Sequence, residues 1–276
     1  MTKINEKCGL CLKNSDLVES HLIPQSIYKI IVQESLKLNN PLLIKGNKKL
    51  ATSKQVKSTF LCPKCEGRLS NFGEDHVLRN IYRKPKEFRL QTILKGLKPI
   101  EKVDGSLVYC GNKLPNIKID HFLHFASGIF WKTSAGKWTF LGEKLNSKTL
   151  GNKYEDKFRK YLLGNEKFPE NAILTMKVSN EKSPFPVCIF PHANKINGLF
   201  HHRFYIPGIE FILRVGNLIP NEQKAFSLSN TSGGLIFFES LDNSNFINAA
   251  KKYMKRKRVP LGKLKKLVKH QKCITS

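Results

Sequence analysis

Residues 59–66 read Thr59-Phe60-Leu61-Cys62-Pro63-Lys64-Cys65-Glu66, and near the start of the chain stands a second spacing of the same kind, Cys8-Gly9-Leu10-Cys11. In a Cys-x-x-Cys turn two thiolates face one ion, and two such turns from separate segments complete a tetrahedral four-sulfur shell for Zn2+. A thioredoxin-like redox pair needs one Cys-x-x-Cys at a strand-to-helix junction, not two pairs far apart in the chain. Cys8, Cys11, Cys62 and Cys65 are therefore expected to hold a structural zinc ion, which contributes on the order of 10 kcal/mol to a small module of this type. The chain has seven cysteines in all. An odd number with metal-type spacing fits a reducing compartment, and Cys110, Cys188 and Cys273 read as free thiols.

Between the pairs, Val18-Glu19-Ser20-His21-Leu22-Ile23-Pro24 reads as a strand entering a proline-terminated turn. Apolar residues at Ile27, Ile30, Ile31 and Leu38 recur at helical intervals, so a helix is expected over 25–38, stopped by Asn39-Asn40-Pro41. The polar, basic stretch 45–57 reads as a loop or edge hairpin. A second helix is expected over 66–82. Residues 1–95 thus form a metal-bearing unit.

The order Cys-x-x-Cys, Glu19-Ser20-His21-Leu22-Ile23-Pro24, Leu61-Cys62-x-x-Cys65-Glu66 resembles the zinc-stabilised branch of the HNH endonucleases, whose fold is the ββα-metal or treble-clef module. The likeness spans about the first 80 residues. It implies that His21 is the general base that takes a proton from water attacking a phosphodiester. Ser20 stands where the family carries a metal-binding Asp, and Glu66 where it carries His or Asn. The catalytic group is then expected to be His21, Ser20 and Glu66, with Glu66 as an oxygen ligand for a catalytic Mg2+ or Mn2+ and helical spacing setting Ser70, Asn71 and Glu74 toward the same side. It also implies a role by analogy in phage defence or a mobile element.

From residue 96 the pattern changes to short β-branched and aromatic runs punctuated by Gly and Pro, at 106–109, 172–178, 187–190, 204–205, 209–215 and 234–238. Helices are expected at 120–133, where Phe122, Phe125, Ile129 and Phe130 share a face, and at 154–163. The expected class is α+β: a zinc module, a larger and mostly antiparallel α+β domain over 96–244, and a basic helical tail over 245–276. Val259-Pro260-Leu261-Gly262 is expected to break that tail into two helices, and His201-His202-Arg203 reads as a basic loop.

Across 276 residues, 48 Lys and Arg stand against 21 Asp and Glu, a formal net charge of +27. Such an excess calls for a polyanion, and nucleic acid, DNA ahead of RNA, is the expected partner. Lys255, Arg256, Lys257, Arg258, Lys265 and Lys266 are the expected phosphate contacts. A protein partner or a second copy of the chain stays open. No apolar stretch approaches the length of a membrane helix, and no signal-peptide pattern opens the chain, so a cytoplasmic protein without membrane partners is expected. Two functions follow: a metal-dependent DNA endonuclease, or a noncatalytic zinc-containing nucleic-acid-binding adaptor.

Overall fold

The computed structural model describes residues 5–34, 42–45, 48–51, 54–84, 87–140, 142–217, 219–230, 232–242, 244–255 and 259–262. Its centre is a seven-stranded sheet. From one edge the order is Ile189–Ile196, Leu199–Ile206, Ile209–Val215, Ala172–Ser179, Leu235–Glu239, Ser106–Cys110 and Glu101–Val103. Every neighbouring pair is antiparallel except Ala172–Ser179 with Leu235–Glu239, which run parallel. The α+β class is therefore observed, with strands where β-branched and aromatic runs alternate.

Helix Ile119–Ala135 is apolar almost all round, and a helix of that kind belongs between layers. On one side Phe125 meets Phe204 and Phe211 of the sheet, with ring centroids 6.4 and 5.9 Å apart, and Phe130 lies 4.9 Å from Phe204. On the other side it packs against a helix running 63–80, which is α over Pro63–Leu69, π over Ser70–Glu74 and α again over Asp75–Asn80. Gly73 sits at that crossing. A Cβ there would lie 3.0 Å from the Phe125 backbone, so the bare glycine lets the two helices approach. One buried cluster consequently runs from Cys8 to Phe238. No helix among the described residues is long and apolar enough to cross a membrane.

Two expectations change. Val259–Gly262, expected as a break between two helices, is itself a strand, parallel to Lys48–Ala51, in a small sheet with Leu42–Lys45. Pro260 is tolerated because that strand is at the edge, where one side of the backbone needs no partner. His201-His202-Arg203 is not a loop but part of the strand Leu199–Ile206. Of the basic tail, Asn245–Lys255 is helical as expected; Arg256, Lys257, Arg258, Lys265, Lys266 and the side chain of Lys255 lie outside the described residues.

His202 is 2% exposed, with its ring 6.0 Å from Phe130. Burial, and then the neighbouring His192 and His201, hold its pKa down to about 4. An unfolded histidine titrates near 6.5. Between those values the unfolded chain takes up a proton that the folded chain refuses, so stability present above pH ~6.5 is lost as pH falls toward ~4. Denaturant midpoints recorded across this window are expected to fall more for the native chain than for His202→Leu; equal slopes would remove His202 as a cause.

Candidate metal centre and histidine site

The first cysteine turn closes the short hairpin of Asn5–Lys7 and Asn14–Asp16. Cys8 N–H donates to Lys13 O at 2.9 Å, and Leu12 N–H to Cys8 O at 2.9 Å, with Leu12 in the left-handed region at φ 62°. Gly9 N–H donates to Phe60 O at 3.0 Å, which ties this turn to the strand Lys57–Leu61. A Cβ on Gly9 would lie 2.3 Å from the Phe60 ring, so glycine is required for that approach. The second turn forms because Cys62 precedes a helix whose first residue is Pro63, where a missing N–H costs no hydrogen bond. Glu66 N–H then donates to Cys62 O at 3.0 Å.

These two turns place the ligand atoms of Cys8, Cys11, Cys62 and Cys65 within 4.8 Å of one another. Cys11 Sγ and Cys62 Sγ are 4.0 Å apart. A tetrahedron with Zn–S bonds of about 2.3 Å has edges of about 3.8 Å, so the four sulfurs fit a zinc ion. Burial raises the Cys65 and Cys62 thiols above the ordinary value. Burial also works to raise Cys8, but hydrogen bonds involving the backbones of Cys62, Cys11 and Leu10 bring it below the ordinary value. The spacing of the four sulfurs is what fits them to zinc, whose binding would displace the thiol protons.

Strand Val18–His21 pairs antiparallel with Lys57–Leu61, setting Ser20 opposite Ser58 and His21 opposite Lys57. Strand alternation turns Glu19 out and Ser20 in. Glu19 is exposed and pairs with Lys57 at 2.7 Å, whose hydrogen bond and charge hold its carboxyl below the usual range. Ser20 is fully buried, and its Oγ donates to Glu66 Oε2 at 2.8 Å. His21 ends the strand with ring atom Nε2 enclosed and without a hydrogen-bond partner. The strand Val18–His21 and the helix 63–80 thus bring Ser20 and Glu66 together, with Glu66 directly after Cys65 of the quartet, while His21 shares the strand face of Glu19.

Glu74 is engaged differently. Its Oε1 lies 3.2 Å from Lys132 Nζ, which also donates to the backbone carbonyl of His21 at 2.9 Å. Lys132 comes from helix Ile119–Ala135 and is 1% exposed. One ammonium therefore joins the core helix, the helix 63–80 and the end of the histidine strand. Sequence reading missed Lys132, because lysine ordinarily lies at the surface and the apolar spacing assigns this helix to the core. The one available signal was a lysine set directly after Trp131 in an otherwise apolar run.

Of the residues expected to hold a catalytic metal, Glu66 is bonded to Ser20, Glu74 to Lys132, and Asn71 is exposed. Asn71 and Glu74 thus diverge, since α-helical spacing does not hold through a π turn. Among the described residues, the cysteine quartet is the group of three or more His, Cys, Asp or Glu drawn together at metal-binding distance. His76, on the same helix, accepts the Lys118 backbone N–H on Nε2 at 3.0 Å, a packing role. Set beside protein-family models, curated proteins and solved structures, the chain matches none.

Proposed function

We propose that residues 5–95 form a zinc-stabilised treble-clef module of HNH type and that the protein hydrolyses phosphodiester bonds of DNA. The observation that carries this reading is the hydrogen bond from Ser20 to Glu66, the residue that follows Cys65 of the quartet, with His21 next on the strand and its ring Nε2 free of any hydrogen bond. A neutral imidazole accepts a proton from water at neutral pH. The new P–O bond forms as the P–O bond to the leaving strand breaks, and the leaving oxygen takes up a proton. Mg2+ commonly binds through one or two carboxylates and completes its shell with substrate phosphate and water. Glu66 fits that pattern, with Ser20 orienting its carboxylate; Glu74, already paired with Lys132, does not. When bound, the ion supplies charge neutralisation at the scissile phosphate. The net charge of +27 supports a DNA partner, held through its phosphates.

Ser20 favours a second reading. A buried serine already bonded to Glu66 offers a poor ligand where the family uses Asp, as a noncatalytic zinc adaptor would. The two are separated by incubating plasmid DNA and RNA with the purified chain and Mg2+, Mn2+ or EDTA. The nuclease reading expects metal-dependent cutting of DNA that His21→Ala slows by about 100-fold or more, the range of general acid–base catalysis. Binding without cutting supports the adaptor, and cutting that survives His21→Ala removes His21 as the base.

A further inference from the structure

Apart from the histidine site, the N-terminal end of helix Ile119–Ala135 borders a cleft of about 520 Å3. That volume falls in the range of small-molecule sites, typically about 300–1,000 Å3. Its walls combine Phe72 and Tyr161 with Lys118, Asp120, His121 and His124. Phe72 is unusual for a large apolar residue: it is 50% exposed, and the Arg68 guanidinium lies 4.7 Å from its ring centre. Its ring is 5.9 Å from that of His124, and Tyr161 lies 6.0 Å from His124 on another side.

His124 supplies the second observation. It is 8% exposed, and its Nε2 hydrogen-bonds the Leu162 carbonyl at 3.3 Å, which assigns the proton to Nε2 and leaves Nδ1 a lone-pair acceptor. Nδ1 is buried and has no partner. Burial holds the His124 pKa down to about 4, against the Leu162 hydrogen bond that raises it, so the ring is neutral near pH 7. His121, three residues earlier on the same helix face, has an unpartnered buried Nδ1 as well. Buried polar atoms are ordinarily satisfied, and the Nδ1 lone pair of His124 has no donor among the described residues. Asp120, exposed at the same wall, is a further acceptor, while Lys118 brings positive charge.

We infer that this cleft binds a nucleobase carrying an exocyclic amine, stacked on Phe72, its amine donating to the Asp120 carboxylate, with the His121 and His124 rings lining the wall and its phosphate beside Lys118. A planar base suits an exposed aromatic ring, an amine suits the exposed Asp120 carboxylate, and a nucleotide fits the volume. The inference does not depend on catalysis at His21. The base belongs to a free mononucleotide or to an unpaired position of a strand; the chemistry is shared.

Calorimetric titration of the full chain tests it with adenosine monophosphate, with ribose 5-phosphate, and with a single-stranded deoxyadenosine hexamer and its abasic counterpart. Stacking of a base on an aromatic side chain is worth about 1–3 kcal/mol, so Phe72→Ala is expected to weaken binding about tenfold, while the base-free probes bind at least as poorly. Phe72 is exposed, so this variant retains its core, and Asp120→Asn gives a second, isosteric test. Saturation by the mononucleotide identifies a free ligand; saturation by the hexamer alone identifies a strand position. In either case the 15N signals of His121 and His124 are expected to shift on binding. Equal affinity for probes with and without the base, or histidine signals unmoved at saturation, would overturn the proposal.

Discussion

Removing one zinc ligand is expected to loosen the cysteine unit while leaving the large sheet folded. Elemental analysis of the native chain is expected to give about one zinc per molecule, and Cys65→Ser close to none. The reason is the poverty of other contacts. The hairpin strands Asn5–Lys7 and Asn14–Asp16 are three residues each, and all three side chains of the first are exposed. A two-stranded hairpin without a buried face is marginal in water. What holds it is the turn between, through Leu10, the Gly9 to Phe60 hydrogen bond, and the bond from Cys62 N–H to Cys8 Sγ at 3.3 Å. Without metal, four thiols crowded in a mostly buried position are left with little to satisfy them. Zinc sites of this type contribute on the order of 10 kcal/mol, enough to decide whether the unit is ordered. Hydrogen exchange is the measurement: amides of 8–12 and 57–66 are expected to lose protection in Cys65→Ser, and those of Ala172–Ser179 to keep it. A native chain that folds without zinc, with the same protection, ends the zinc assignment.

Lys132→Met is the second large effect expected. Lys132 Nζ reaches Glu74 at 3.2 Å and the His21 carbonyl at 2.9 Å, with the lysine side chain 2% and the glutamate 19% exposed. Removing one member of a buried pair leaves the other charge uncompensated, at a cost of about 3–5 kcal/mol. The carbonyl of His21 also loses its donor. Methionine preserves most of the volume, so the loss reports on charge and hydrogen bonding, not on a cavity. Lys132→Met with Glu74→Gln removes the stranded charge and is expected to recover part of the stability, which a packing defect alone would not allow. Urea unfolding measures both. A single variant as stable as the native chain would show that the pair holds nothing together. Because the ammonium also anchors the end of the histidine strand, the single variant is expected to slow any DNA cleavage more than its stability loss alone explains.

Much of this architecture was readable along the chain because it depends on local periodicity. Phe122, Phe125, Ile129 and Phe130 share one helical face, and the helix found at Ile119–Ala135 buries all four. Expected strands at 172–178 and 209–215 are found at Ala172–Ser179 and Ile209–Val215. The strand through His201-His202-Arg203 was obscured because three polar or basic residues in succession hide an alternation in which His202 alone turns fully inward. Val259–Gly262 was expected to interrupt the helical tail, but its strand pairing was not legible, because the stopping power of Pro and Gly is local, whereas pairing with Lys48–Ala51 joins segments about two hundred residues apart.

The amino-acid sequence by itself determined the cysteine quartet, the α+β class and the strand carrying Ser20 and His21, because spacing and alternation are properties of neighbours in the chain. Only the tertiary structure decided which polar groups meet. It joined Ser20 to Glu66, drew Glu74 away through a π turn, buried Lys132 against the His21 carbonyl, and left His121 and His124 with unpartnered nitrogens on the wall of a cleft. Those contacts arise where two helices cross closely enough to require Gly73, and the geometry of a crossing depends on side chains that no local pattern brings together.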